Sequence, residues 1–128
     1  MKRAMVWIGL AVMVFALVGC RNSEKLVTER DDGRTVKMRI GEKLLVQLEG
    51  NPTTGYEWSL AALNEKYLSF QGEPEYQRDS NLIGAGGTYT FIFDTLEPGR
   101  TTLTLQYARP FETSVSPERT FSVDVLIR

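Results

Sequence analysis

The sequence predicts an all-β domain, an antiparallel sandwich or barrel, and two observations carry that expectation. Short segments alternate apolar and polar residues with a period of two, the pattern of a half-buried strand. Gly, Pro, Asn and Asp punctuate these segments closely, as in Glu97-Pro98-Gly99. Cys20 is the only cysteine in 128 residues, so packing alone must hold the sheets together.

Each element follows from its local pattern. In "KLLVQLEG", Leu44, Val46 and Leu48 alternate with Leu45 and Gln47. "YEWSLA" sets Tyr56, Trp58 and Leu60 against Glu57 and Ser59. Ala62 to Leu82 is less regular, and one strand is expected there, around Tyr67 to Tyr76, after a short helical turn. "TYTFIFDT" places Tyr89, Phe91 and Phe93 on one face. "TTLTLQYA" does so with Leu103, Leu105 and Tyr107, and "TFSVDVLI" with Phe121, Val123, Val125 and Ile127. Many short strands at this spacing make one sandwich or barrel. Successive antiparallel strands reverse direction, so alternate connections emerge at the same end. Asn51–Gly55, Asn81–Gly87 and Arg109–Pro117 should share one end, with Leu96–Gly99 at the other, provided that 62–82 holds a single strand.

The N-terminus stands apart. Lys2 and Arg3 precede an apolar run from Met5 to Val18 that leads into Gly19-Cys20. That run is short for a membrane span of ~20 residues and suits the apolar core of an export signal. Leu17-Val18-Gly19-Cys20 is similar to a lipobox, where a signal peptide is cut before a cysteine that then carries lipid; a plain anchor helix is the alternative. The expected organisation is a signal peptide over 1–19, a lipidated Cys20 with a polar tether over 20–34, and the domain over 35–128. The tether, "RNSEKLVTERDDGR" after Cys20, leaves room for one early strand toward its end. Arg21 rather than Asp after the cysteine favours the outer membrane if the cell is Gram-negative. The expected location is exported and lipid-anchored.

Composition excludes several functions. Cleavage before Cys20 removes two positive charges and leaves 13 Lys+Arg against 16 Asp+Glu, a net charge of −3. Nucleic-acid binding, which wants clustered basic charge, is not expected. There is no histidine, which removes Ser-His-Asp and Cys-His catalysis and the commonest metal ligand. Three of the four methionines, Met1, Met5 and Met13, lie in the signal, against a Met-rich copper site. Glu57, Glu73 and Glu75 could pair for acid–base work, but solvated strand and loop faces are the plainer reading. Neither enzyme nor cofactor is expected.

The three loops assigned to one end carry the remaining signal. In Asn51-Pro52-Thr53-Thr54-Gly55-Tyr56, Pro52 fixes its own φ and extends Asn51, while Gly55 can adopt positive φ. The tip is small, uncharged and stiff, with two hydroxyls. It is either an ordinary turn or a wedge that enters a narrow cleft at little entropic cost. Gly84-Ala85-Gly86-Gly87 leads into a strand and has no P-loop lysine, so it is a flexible loop or a place of close backbone approach. In Arg109-Pro110-Phe111, an aromatic beside an arginine has the composition of an interface hot spot, or Phe111 folds back over the sandwich end.

Together the three motifs closely resemble those of the chagasin-type cysteine protease inhibitors, whose pattern is Asn-Pro-Thr-Thr-Gly-aromatic, then Gly-x-Gly-Gly, then Arg-Pro-aromatic. The resemblance spans about Val36 to Ile127; Phe111 stands where the family most often has tryptophan. It implies an immunoglobulin-like antiparallel β-sandwich and reversible inhibition of papain-like peptidases without cleavage of the inhibitor. It implies that Thr53 and Thr54 cover the nucleophilic cysteine and that Gly84–Gly87 pairs backbone along one side of the cleft. It places Arg109 and Phe111 on the other side. The expected form is a monomer bound to a papain-like cysteine protease and held to a membrane through Cys20. The alternative is an Ig-like surface lipoprotein that uses the same loops on a non-protease partner.

Overall fold

The computed structural model describes residues 23–128. The expected signal peptide and Cys20 lie outside the described residues. Nine strands form two sheets: β1 Glu24–Thr28, β2 Thr35–Met38, β3 Lys43–Gly50, β4 Glu57–Ala62, β5 Leu68–Phe70, β6 Glu75–Arg78, β7 Gly87–Thr95, β8 Gly99–Ala108 and β9 Arg119–Ile127. One sheet runs β1-β3-β7, with β5 and β6 both on the far side of β7; the other runs β2-β9-β8-β4.

The period-two pattern predicted the inward faces of the long strands. Leu44, Val46 and Leu48 are fully buried from one sheet, with Phe91 and Phe93 beside them; Leu103, Leu105, Phe121, Val123, Val125 and Ile127 meet them from the other. Complete burial of one such side chain stabilises by roughly 1.5–3 kcal/mol. These residues replace the disulfides that the chain lacks.

The structure corrects the sequence reading in three places. The segment 62–82 holds two strands, not one. Both run antiparallel to β7, but the register moves from Phe70↔Phe93 to Glu75↔Thr90, so two extra residues are accommodated between them. Gly72, at φ +68°, and Pro74 make that break. Because β5 and β6 point the same way, the alternation of loop ends survives. Second, the sandwich is not purely antiparallel, since β1 pairs parallel with β3 and β2 parallel with β9. Third, part of the stretch read as tether belongs to the sandwich: β1 buries Val27, and a 3-10 turn over Glu29–Asp31 carries the chain toward the second sheet.

β3 ends and β4 begins at the same pole as the β6–β7 and β8–β9 connections. The turns Arg39–Glu42 and Leu96–Pro98 lie at the opposite pole, here called the base.

Candidate protease-binding site

The β3–β4 loop is built by Asn51. Pro52–Thr54 forms one 3-10 turn, with Asn51 extended at φ −137° as its N-cap and proline in the first turn, where its missing N–H is no loss. The Asn51 Oδ1 accepts from the Thr53 N–H at 3.1 Å and from the Thr53 hydroxyl at 2.6 Å. The Thr54 hydroxyl donates to the Asn51 carbonyl at 2.7 Å. Gly55 ends the turn in the left-handed region, φ +84°, which explains a glycine there. Both hydroxyl protons are spent inside the loop, which leaves the Thr53 and Thr54 side chains no free hydroxyl donor. Pro52, Thr53 and Thr54 are exposed.

Two contacts join the three loops into one surface. The Asn51 Nδ2 donates to the Gly84 carbonyl at 2.9 Å, tying the glycine loop to the threonine loop. On the other flank the Arg109 Nε donates to the Thr54 carbonyl at 3.3 Å, and its Nη1 reaches Glu112 Oε1 at 3.2 Å. The ion pair is half exposed and adds little by itself. Its use is to hold the guanidinium over the Tyr56 ring, 4.4 Å from the centroid.

Beneath the surface lies an aromatic stack. Tyr56 stacks on Tyr107 with centroids 5.4 Å apart, and Tyr107 meets Trp58 at 5.2 Å. Arg119 closes the far end, 5.2 Å over Trp58, donating to the Glu49 carbonyl and to Glu29 Oε1. The Tyr107 hydroxyl accepts from the Asn51 N–H at 2.8 Å. Each aromatic pair is worth about 0.5–1.5 kcal/mol beyond its buried area. The threonine loop therefore stands on a rigid pedestal.

The sequence-predicted residues divide by position. Pro52, Thr53, Thr54, Gly84, Pro110 and Phe111 are exposed on the shared surface, and Phe111 is 73% exposed rather than folded over the core. Asn51, Gly55, Tyr56, Ala85, Gly86 and Arg109 are partly covered. Gly87 is buried in β7, where an added methyl would strike the Gln77 carbonyl and the Tyr76 ring. Its glycine is required by packing rather than by a free surface. Gly84, at φ +78°, has open space around it and is glycine for its backbone conformation.

Several residues escaped the motif reading. Tyr107 on β8, Arg119 on β9 and Glu29 in the 3-10 turn support the loops from elsewhere in the fold, and Glu112 does so from within the β8–β9 loop, three residues after Arg109. Leu82 and Ile83 are 74% and 103% exposed at the glycine loop, and Val115 is 60% exposed in the β8–β9 loop. The signal for the first two was an apolar pair outside any alternating strand. With Phe111 they make this pole the more apolar end of the molecule, composed as interfaces are. Glu57, Glu73 and Glu75 are exposed. Among the described residues no group of acidic, His or Cys side chains is arranged to hold a metal ion.

Comparison with known proteins places this geometry. The sequence model of the family described as Chagasin family peptidase inhibitor I42 matches residues 37–125. Chagasin of Trypanosoma cruzi is 33% identical over 90 residues, covering 66% of this chain and 81% of that protein. The crystal structure of the cysteine protease inhibitor EhICP2 from Entamoeba histolytica superposes with a TM-score of 0.74 at 27% identity, over 83% of this chain and 96% of that one. A second structure, PbICP-C in complex with falcipain-2, shares the fold, with a TM-score of 0.59 at 21% identity over 84% of this chain and 92% of that one.

Proposed function

This chain belongs to the chagasin family of peptidase inhibitors and is a cysteine protease inhibitor rather than an enzyme, and from that premise we propose that it blocks papain-like proteases reversibly with the three loops. The observation that carries this reading is the Asn51 hub, which fixes the threonine turn internally and ties it to Gly84. A loop with its polar groups already paired loses little freedom on entering a cleft.

Thr53 and Thr54 would sit over the nucleophilic cysteine and exclude substrate. The backbone that leaves the Leu82–Ala85 turn through Gly84–Gly86 would run along one wall of the cleft, and Arg109 with Phe111 would pack against the other. No peptide of the 3-10 turn is extended for attack, so the inhibitor should leave uncut. The solved complex of a same-fold inhibitor with falcipain-2 supports this choice of target. Cys20 would be lipidated after signal cleavage, holding the domain to a membrane; among the described residues no helix is long and apolar enough to cross one.

Titration of the soluble domain, from Arg21 onward, against papain with a fluorogenic substrate tests the reading. Stoichiometric loss of activity that returns on dilution, with intact inhibitor recovered, is the expected result. Full activity at micromolar inhibitor, or recovery of a clipped chain, would contradict it.

A further inference from the structure

We propose that the base of the sandwich, the face carrying Ile40 and Leu96, rests on a lipid bilayer and points the three loops away from it. The inference rests on the reading of Cys20 as a lipid anchor and adds an orientation which that reading does not contain.

The strand directions carry it. β3 rises from Lys43 at the base to Gly50 at the loop pole. β1 runs parallel to it and therefore also starts at the base, where the Lys43 N–H donates to the Ser23 carbonyl at 3.1 Å. Cys20 precedes Ser23 by three residues, a reach of at most about 10 Å. The eight residues of β3 separate the base from the loops by roughly 25 Å at ~3.4 Å per residue. While β1 is paired, an acyl chain on Cys20 can bring only the base to a bilayer.

The base is suited to that contact. Ile40 and Leu96, 46% and 47% exposed, project from neighbouring turns. Thr95 joins those turns, its Oγ1 accepting from the Gly41 N–H and donating to the Glu42 carbonyl, each at 3.0 Å. The charges around them are of both signs: Arg39 and Arg128 stand near Glu42, and Lys43 pairs with Asp94 at 3.4 Å. Lys25 and Lys37 add to the basic side chains there and Glu24 to the acidic ones, so the contact combines the anchor and two apolar side chains with a mixed charged rim. Functionally, the loops would meet soluble proteases arriving from the aqueous side.

The test uses the mature protein, lipidated on Cys20, in phosphatidylcholine vesicles containing doxyl-labelled lipid. With Cys20 acylated, a single introduced cysteine takes a thiol fluorophore uniquely. Leu96→Cys and Ile40→Cys at the base are compared with Thr113→Cys at the loop pole, all three being exposed positions. Quenching several-fold stronger at both base positions than at Thr113 is expected. Protein that floats with the vesicles but is quenched equally at the two poles, or more at Thr113, overturns the orientation alone. Protein that does not float overturns the anchor reading and this inference with it.

Discussion

The Tyr107 hydroxyl accepts a hydrogen bond from the Asn51 N–H at 2.8 Å and faces the Asn51 carbonyl at 3.3 Å, so a residue near the end of β8 clamps both backbone groups of the residue that builds the threonine loop. The two are 56 positions apart in sequence. Recognition geometry at the tip is therefore set by the opposite sheet.

Tyr107→Phe keeps the ring stack but leaves the Asn51 N–H without its partner. Loss of a part-buried hydrogen bond costs about 1–3 kcal/mol. Chemical denaturation should show a drop in that range, and the inhibition constant for papain should rise as the loop loosens. A stable variant with unaltered inhibition would show that the clamp does not set the loop.

The two outer glycines of the second motif should behave oppositely. Gly87→Ala drives a methyl into the Gln77 carbonyl and the Tyr76 ring, so the β6–β7 pairing must open and the domain should fail to fold or melt far earlier. Gly84→Ala meets open space and carries only the strain of positive φ, about 1–2 kcal/mol. Thermal melts of the pair check this, and equal melting temperatures would contradict it.

Phe111→Ala should leave stability within about 0.5 kcal/mol, because the ring is mostly exposed. Binding to the protease should weaken by about 1–2 kcal/mol, as for an interface anchor. Arg109→Ala should weaken binding by a similar amount, through the lost Thr54 contact and the uncovered Tyr56 ring. Isothermal titration of each variant reads both; unchanged affinity in either removes that residue from the interface.

Stability should change little between about pH 5 and 9, since the chain has no histidine. Burial, assisted by Tyr107, Glu57 and Tyr76, pushes the Tyr89 phenol up to about 12. The unfolded chain loses that proton near 10 and the folded chain near 12, so folding stability falls as pH rises through this window. Hydrogen bonds from Thr102 and Arg100 lower the Asp124 carboxyl, whose smaller contribution disappears as pH falls into the acid range. Denaturant midpoints from pH 5 to 12 check the profile, and a midpoint that holds beyond pH 11 would contradict the Tyr89 assignment.

Strand legibility depended on length. β3, β7, β8 and β9 span eight to ten residues, and each alternates long enough to reveal its inward face. β2 has four residues and buries only Val36 and Met38, too few to show a period. β5 and β6 were fused because their interruption is a local register change with no signature beyond Gly72 and Pro74. Parallel pairing of β1 was invisible, since it depends on a partner about 19 positions away. At the site, the loop motifs were legible because Pro52 and Gly55 impose backbone constraints locally. Asn51 reads as a turn former in sequence, and only tertiary packing reveals it as the link to Gly84 and Tyr107.

Occlusion of the catalytic thiol is the central claim, and the rate at which iodoacetamide alkylates that thiol in papain measures it most directly. Saturating wild-type domain should slow alkylation to the rate set by dissociation of the complex. Thr53→Trp, too bulky for the cleft at an exposed position, should give no protection while keeping the same melting temperature. Alkylation at the free-enzyme rate in a complex shown to be fully formed would mean that the loops bind elsewhere on the protease.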